Sequence, residues 1–159
     1  MMEKLEIVEI LKVVLALEYI LCELHFNLRS LEANTSFSLI ISNDGDTILF
    51  EKREGWITPN DLHYEDPYQV TSITGSMEDE ELAKLVGNKI ENMKFGIGET
   101  FDTKQPVLYY FLMTTDKHRF LFFNNGDDGG YSFDKIDDIL AGDIFGYRWS
   151  DVLKLDRFS

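Results

Sequence analysis

Basic residues are scarce in this chain: 15 Lys and Arg stand against 29 Asp and Glu, a formal charge of −14 over 159 residues. That field repels phosphate backbones and anionic headgroups, so neither nucleic acid nor a membrane surface is expected as a direct partner. A basic protein surface or a cation is favoured instead. Cysteine is almost missing. Cys22 stands alone, which excludes an intramolecular disulfide and fits a reducing compartment. Long apolar runs are missing as well, because Glu9, Lys12, Glu18 and Glu23 interrupt the first apolar segment. No stretch there suits a signal core or a membrane span, and the expected location is the cytoplasm.

The usual words of catalysis are also lacking. There is no Walker loop, no dinucleotide fingerprint and no Gly-x-Ser-x-Gly elbow. His25, His63 and His118 show no ligand spacing, and no basic neighbour in the sequence activates Cys22. Asp127, Asp128, Asp134, Asp137 and Asp138 are of the type that holds a hard cation, but their spacing matches no standard loop. The expectation is therefore no catalytic residue, no metal site and no cofactor.

What is present is core material. The chain is 44% hydrophobic, with twelve Phe, seven Tyr and two Trp, and its length suits a single domain spanning 1–159. Ile7, Ile10, Val14, Leu17, Leu21, Leu24, Leu28 and Leu31 recur at spacings of three and four, which predicts an N-terminal helix with Leu17 in the core. Residues 25–31 also suit a strand by alternation. Two β-rich runs, 37–41 and 47–50, flank Ser42-Asn43-Asp44-Gly45-Asp46 and predict a hairpin. Thr58-Pro59 starts a short helical turn. Ser76 caps a helix with Glu78 to Glu81 in its first turn and Gly87 at its end. Runs at 89–95, 107–113 and 119–123 predict a strand meander turning at Gly96-Ile97-Gly98 and at 115–118. A short helix at 134–140 and a strand or irregular segment at 144–155 complete the chain. The expected fold class is α+β: an N-terminal helix packed on a mainly antiparallel sheet, with short helices between strands.

One loop stands apart. Asn124-Asn125-Gly126-Asp127-Asp128-Gly129-Gly130 is first a turn, since Asn and Gly adopt left-handed angles cheaply. A turn does not require the second Asp or the Gly-Gly-Tyr that follows. An acidic tip held by aromatic strands is a surface for a partner, and Asp127, Asp128, Tyr131 and Trp149 are the candidate contact residues.

Leu85-Val86-Gly87-Asn88-Lys89-Ile90, the meander after it, Leu121-Phe122-Phe123-Asn124-Asn125-Gly126-Asp127-Asp128-Gly129-Gly130-Tyr131 and Gly146-Tyr147-Arg148-Trp149 together resemble small acidic proteins encoded beside bacterial polymorphic or contact-dependent toxins. The resemblance covers residues 82–152. It implies an immunity protein, a non-enzymatic binding module that neutralises a basic toxin domain. Two alternatives remain: an enzyme or metal-binding domain with an unrecognised acidic site, and a housekeeping domain that forms a homodimer through exposed aromatics.

Overall fold

Branched side chains crowd the beginning of the chain: Ile7, Val8, Ile10, Val13, Val14 and Ile20. Such residues fit a pleated sheet better than a helical turn. The computed structural model, which describes residues 4–17, 19–42, 47–62, 65–100, 104–126 and 128–152, places two antiparallel strands here, β1 (Leu5–Leu15) and β2 (Ile20–Arg29). The expected N-terminal helix is thus corrected to a hairpin. The α+β class falls with it, because the chain is mostly sheet with two short helices.

Two-sided burial explains the misreading. On β2, Leu24, Phe26 and Leu28 face one way and Glu23, His25 and Asn27 the other, and all six are buried. On β1, bulges between Ile7 and Glu9 and between Val13 and Val14 shift the alternation. Apolar residues needed on both faces, with a phase shifted by bulges, imitate a helical stripe. The exceptions are informative: Leu17 and Leu31 lie in turns and are 85% and 99% exposed.

Eight more strands follow: β3 (Asn34–Ile41), β4 (Ile48–Glu54), β5 (Tyr68–Ile73), β6 (Lys89–Glu99), β7 (Pro106–Thr115), β8 (Arg119–Asn124), β9 (Gly129–Ser132) and β10 (Arg148–Ser150). The helices are α1 (Pro59–Leu62) and α2 (Ile136–Ala141), with a 3-10 turn at Glu81–Leu85. Strands β1, β2, β9, β8, β7 and β6 pair in a closed antiparallel ring of six. Two short corners close it. Leu5 and Glu6 pair with Ile90 and Lys89, and Leu21 pairs with Gly129. Outside the ring, β3 and β4 extend the sheet from β2, β5 pairs with β1, and β10 pairs with β6.

Several local expectations change in the same way. The helix expected from Ser76 contracts to the 3-10 turn, where the Glu80 side chain accepts the Leu82 N–H at 3.3 Å. Its Leu82 and Leu85 plug the core. Gly96 and Gly98 lie inside β6 instead of in a turn. A Cβ on Gly98 would stand 2.3 Å from the Gly146 carbonyl oxygen, so close approach of the 146 segment requires a glycine there. Among the described residues no helix is long and apolar enough to cross a membrane.

The inner faces of the two walls meet through phenylalanines. Phe26 stacks on Phe37 at 4.6 Å, and Phe37 meets Phe111 at 5.5 Å, Phe50 meets Phe95 at 5.0 Å and Phe26 meets Phe120 at 5.9 Å across the barrel. Each such pair contributes roughly 0.5–1.5 kcal/mol beyond the burial of its area. Phe111→Ala should therefore cost about 3–5 kcal/mol in urea unfolding, the usual loss for a buried ring. Leu17→Ala should stay within about 0.5 kcal/mol, as surface substitutions do. Equal costs at both positions would contradict this assignment of core and turn.

Candidate functional site

The acidic loop resolves into a tight connection between β8 and β9. The Asn125 N–H donates to the Asp128 carbonyl at 2.7 Å, and Gly126 takes a φ of +89°, a left-handed angle that suits glycine. Asp127 lies outside the described residues. The glycines that follow serve the sheet, because a Cβ on Gly129 would meet the Phe122 ring at 2.7 Å and one on Gly130 the Phe123 ring at 2.6 Å. The pairing of Leu21 with Gly129 brings half-buried Asp128 toward Cys22. Burial first, then Glu23 and more weakly Asp128, hold the Cys22 thiol above its ordinary range. A raised thiol pKa means little thiolate, hence low reactivity.

Tyr131 and Trp149 lie elsewhere. The Tyr131 ring is half-buried near Phe120 and Phe133, and its hydroxyl bonds with Glu80, which also pairs with Lys12 at 2.5 Å. Trp149 sits in β10 against β6, three strands around the ring from β9, or about 14 Å at ordinary strand spacing. Tyr131 and Trp149 therefore do not converge on one surface. Among the described residues no three His, Cys, Asp or Glu side chains gather as a metal-holding group.

A different constellation does form around Trp149. Helix α2 lays Ile136, Ile139 and Leu140 in a second apolar cluster with Tyr110, Leu121, Tyr147 and Trp149, and Gly142 ends it. The chain is then pinned by Asp143, whose carboxylate accepts the Tyr110 hydroxyl at 2.6 Å and the Gly146 N–H at 2.8 Å. Desolvation, then that hydrogen bond, push the Tyr110 hydroxyl far above its ordinary pKa. So anchored, Phe145 stacks on Tyr109 at 4.4 Å, Tyr147 packs on Tyr110 at 4.8 Å and Trp149 meets Tyr147 at 5.2 Å.

The result is an aromatic shelf on the outside of β6 and β7. A hollow of about 360 Å³ indents it, lined by Ile97, Pro106, Phe145, Gly146, Tyr147 and Arg148 among others. Ile144 is 78% exposed and Phe145 38%, so large apolar groups face outward from a fixed base. Exposed Asp134 precedes α2 and exposed Asp137 and Asp138 lie on it, with Asp137 3.9 Å from Arg119, while the apolar side of the helix packs on this cluster; exposed Asp151 follows β10. Arg148 has no ion-pair partner among the described residues. An apolar aromatic centre with a charged rim is the anatomy of a protein contact surface.

A second group was missed in the sequence because its histidine lacked ligand spacing. His25 Nδ1 lies 2.6 Å from Ser38 Oγ and Nε2 lies 2.7 Å from Glu23 Oε1. The signal was present in the alternation of β2, which puts residues 23, 25 and 27 on one face. A Ser, His and Glu in line resemble a nucleophile with its base. All three, however, are more than nine-tenths buried beneath the outer surface of the sheet. Beside them Asn27 clamps Ile57, accepting its N–H at 2.9 Å and donating to its carbonyl at 2.8 Å. Asn27 also donates to Glu9, and Glu9 accepts from Ser72. This row satisfies most polar groups that the covered face would otherwise leave stranded; the hydroxyl of Ser36, in register with Asn27, is buried without a partner among the described residues.

Compared with known family models, curated proteins and solved structures, the chain matches none.

The barrel end at Tyr131 yields a pH prediction. Burial, then the charges of Glu80 and Glu81, raise this phenol from 10.0 to about 12. A folded pKa above the unfolded one means the folded state binds more protons between those values, so stability falls as pH rises from about 10 through 12. Denaturation midpoints measured across that range should drop more steeply for the wild type than for Tyr131→Phe. Parallel curves would show that Tyr131 is not so buried.

Proposed function

We propose that the chain is a non-enzymatic binding module of the immunity type, which holds a basic toxin domain encoded beside it. The observation that carries the reading is the shelf formed by Phe145, Tyr147 and Trp149 on the Asp143–Tyr110 anchor, with Ile144 exposed at its edge. Trp, Tyr and Arg carry most of the energy at protein interfaces, and they do so best when the free surface already holds them in place. The shelf needs little ordering on contact. The chain's charge of −14 supplies the complementary part: a negative field raises the encounter rate with a cationic partner and discriminates against acidic ones.

In this reading Trp149 keeps its role as a contact. Asp134, Asp137 and Asp138 take over the steering first expected of Asp127 and Asp128, since they stand on and just before the helix that packs against the shelf. Tyr131 serves the barrel.

The test uses the inactivated product of the neighbouring toxin gene as ligand in surface plasmon resonance. Phe145→Ala should speed dissociation at least about tenfold, as loss of a central aromatic does. The triple change of Asp134, Asp137 and Asp138 to Asn should slow association and flatten its salt dependence. Asp128→Asn should change neither rate. Absence of binding to that product removes the immunity reading, and binding unaffected by Phe145→Ala moves the contact off the shelf.

A further inference from the structure

A second opening lies at the mouth of the barrel and is independent of the shelf. Leu5 of β1, Leu28 of β2, Thr35 and Phe37 of β3, Phe50 of β4 and Met93 of β6 enclose a hollow of about 480 Å³, within the range that small-molecule sites occupy. Its walls are almost wholly apolar and lead down to the phenylalanine core, where Phe37, Phe50, Phe95 and Phe111 meet. The mouth of a small barrel is a recurrent ligand position because strand closure leaves the inner faces without a partner at the end.

Lys52 pairs in register with Phe37, and Phe50 precedes it by two residues, so alternation puts Lys52 on the same inward face as both rings. Neither Lys52 nor Arg53 has an ion-pair partner among the described residues, although the chain carries 29 acids. Of the charged lining residues Lys52, Arg53 and Glu54, the alternation that turns Lys52 inward turns Arg53 to the opposite face and leaves Glu54, in register with Thr35, one pair nearer the end of the strand. A lysine stem can follow the apolar wall while its ammonium reaches the rim. An apolar slot with an unpaired ammonium at its entrance matches a molecule that joins a hydrocarbon tail to an anionic head. Met93, polarisable and unbranched, lets the wall adapt to such a tail.

We propose that this mouth binds a free medium-chain carboxylate, with its tail among Leu28, Phe37, Phe50 and Met93 and its head at Lys52. The chain length is limited by the hollow. Each methylene that enters should tighten binding about fourfold, the ratio for burying one such group.

The test follows the methionine methyl resonances of the protein labelled at those methyls, with Met93 assigned from Met93→Leu. Titration with octanoate, decanoate and dodecanoate should shift the Met93 methyl in a saturable way, with affinity rising along the series. The Met77 methyl, which packs elsewhere on the core, should stay in place. Lys52→Gln changes an exposed residue and should weaken decanoate about two- to fivefold, the scale for a solvent-exposed ion pair. It should leave 1-decanol unchanged. A Met93 methyl that never moves below the micellar concentration of the ligand overturns the site. A shift that survives Lys52→Gln with the same affinity for decanoate overturns the assignment of the head group.

Discussion

Two short corners hold the rest of the structure in place. Leu5 and Glu6 against β6, and Leu21 against β9, turn what would be two separate sheets into a ring. Without them the strands of β1 and β2 would have one wet face each. With them the hairpin becomes a shared wall, and its second face is covered by the segment that carries Trp56 and Ile57. That burial forces polar residues there to pair with one another, as Glu23, His25 and Ser38 do, because an unpartnered polar group out of water costs about 1–3 kcal/mol. At the second corner a Cβ on Gly129 would stand 3.3 Å from the Leu21 carbonyl oxygen as well as against the Phe122 ring, so a glycine suits the closure there.

The sheet hairpins were legible because their residues obey one rule at a time. The β3–β4 pair and the strands β7 and β8 have β-rich runs bounded by turn residues, and they appear within a few residues of the expected bounds. The first hairpin obeys two rules at once. Leu11 and Val13 are buried on one face while Ile10 and Val14 meet the core on the other, so the apolar spacing no longer reports the period of the backbone. The clue that could have decided it was composition: a run with Ile7, Val8, Ile10, Val13 and Val14 favours strands locally, whatever the spacing suggests.

The candidate site was legible in part. Trp149 stands in the shelf, where the turn after α2 and the three residues of β10 deliver it. Tyr131 was separated from it by the ring itself, which no linear scan supplies. His25 was invisible for a related reason: its partner Glu23 is two residues away, but Ser38 comes from the next strand, and only the register of β2 with β3 joins them. The shelf and the mouth also divide the surface chemically. Exposed acids stand at the helix that packs on the aromatic shelf, whereas the unpaired Lys52 turns inward at the barrel mouth. The two surfaces therefore suit ligands of opposite charge.

Ring closure is the claim on which all of this stands, and nuclear Overhauser contacts across the two corners measure it directly. Resolved spectra should show backbone contacts between Leu5 and Ile90 and between Leu21 and Gly129, together with the strong sequential pattern of extended backbone through residues 5–15 and 20–29. Amide-to-amide contacts of a helix along residues 7–31, with neither corner present, would contradict the barrel and everything placed on its walls.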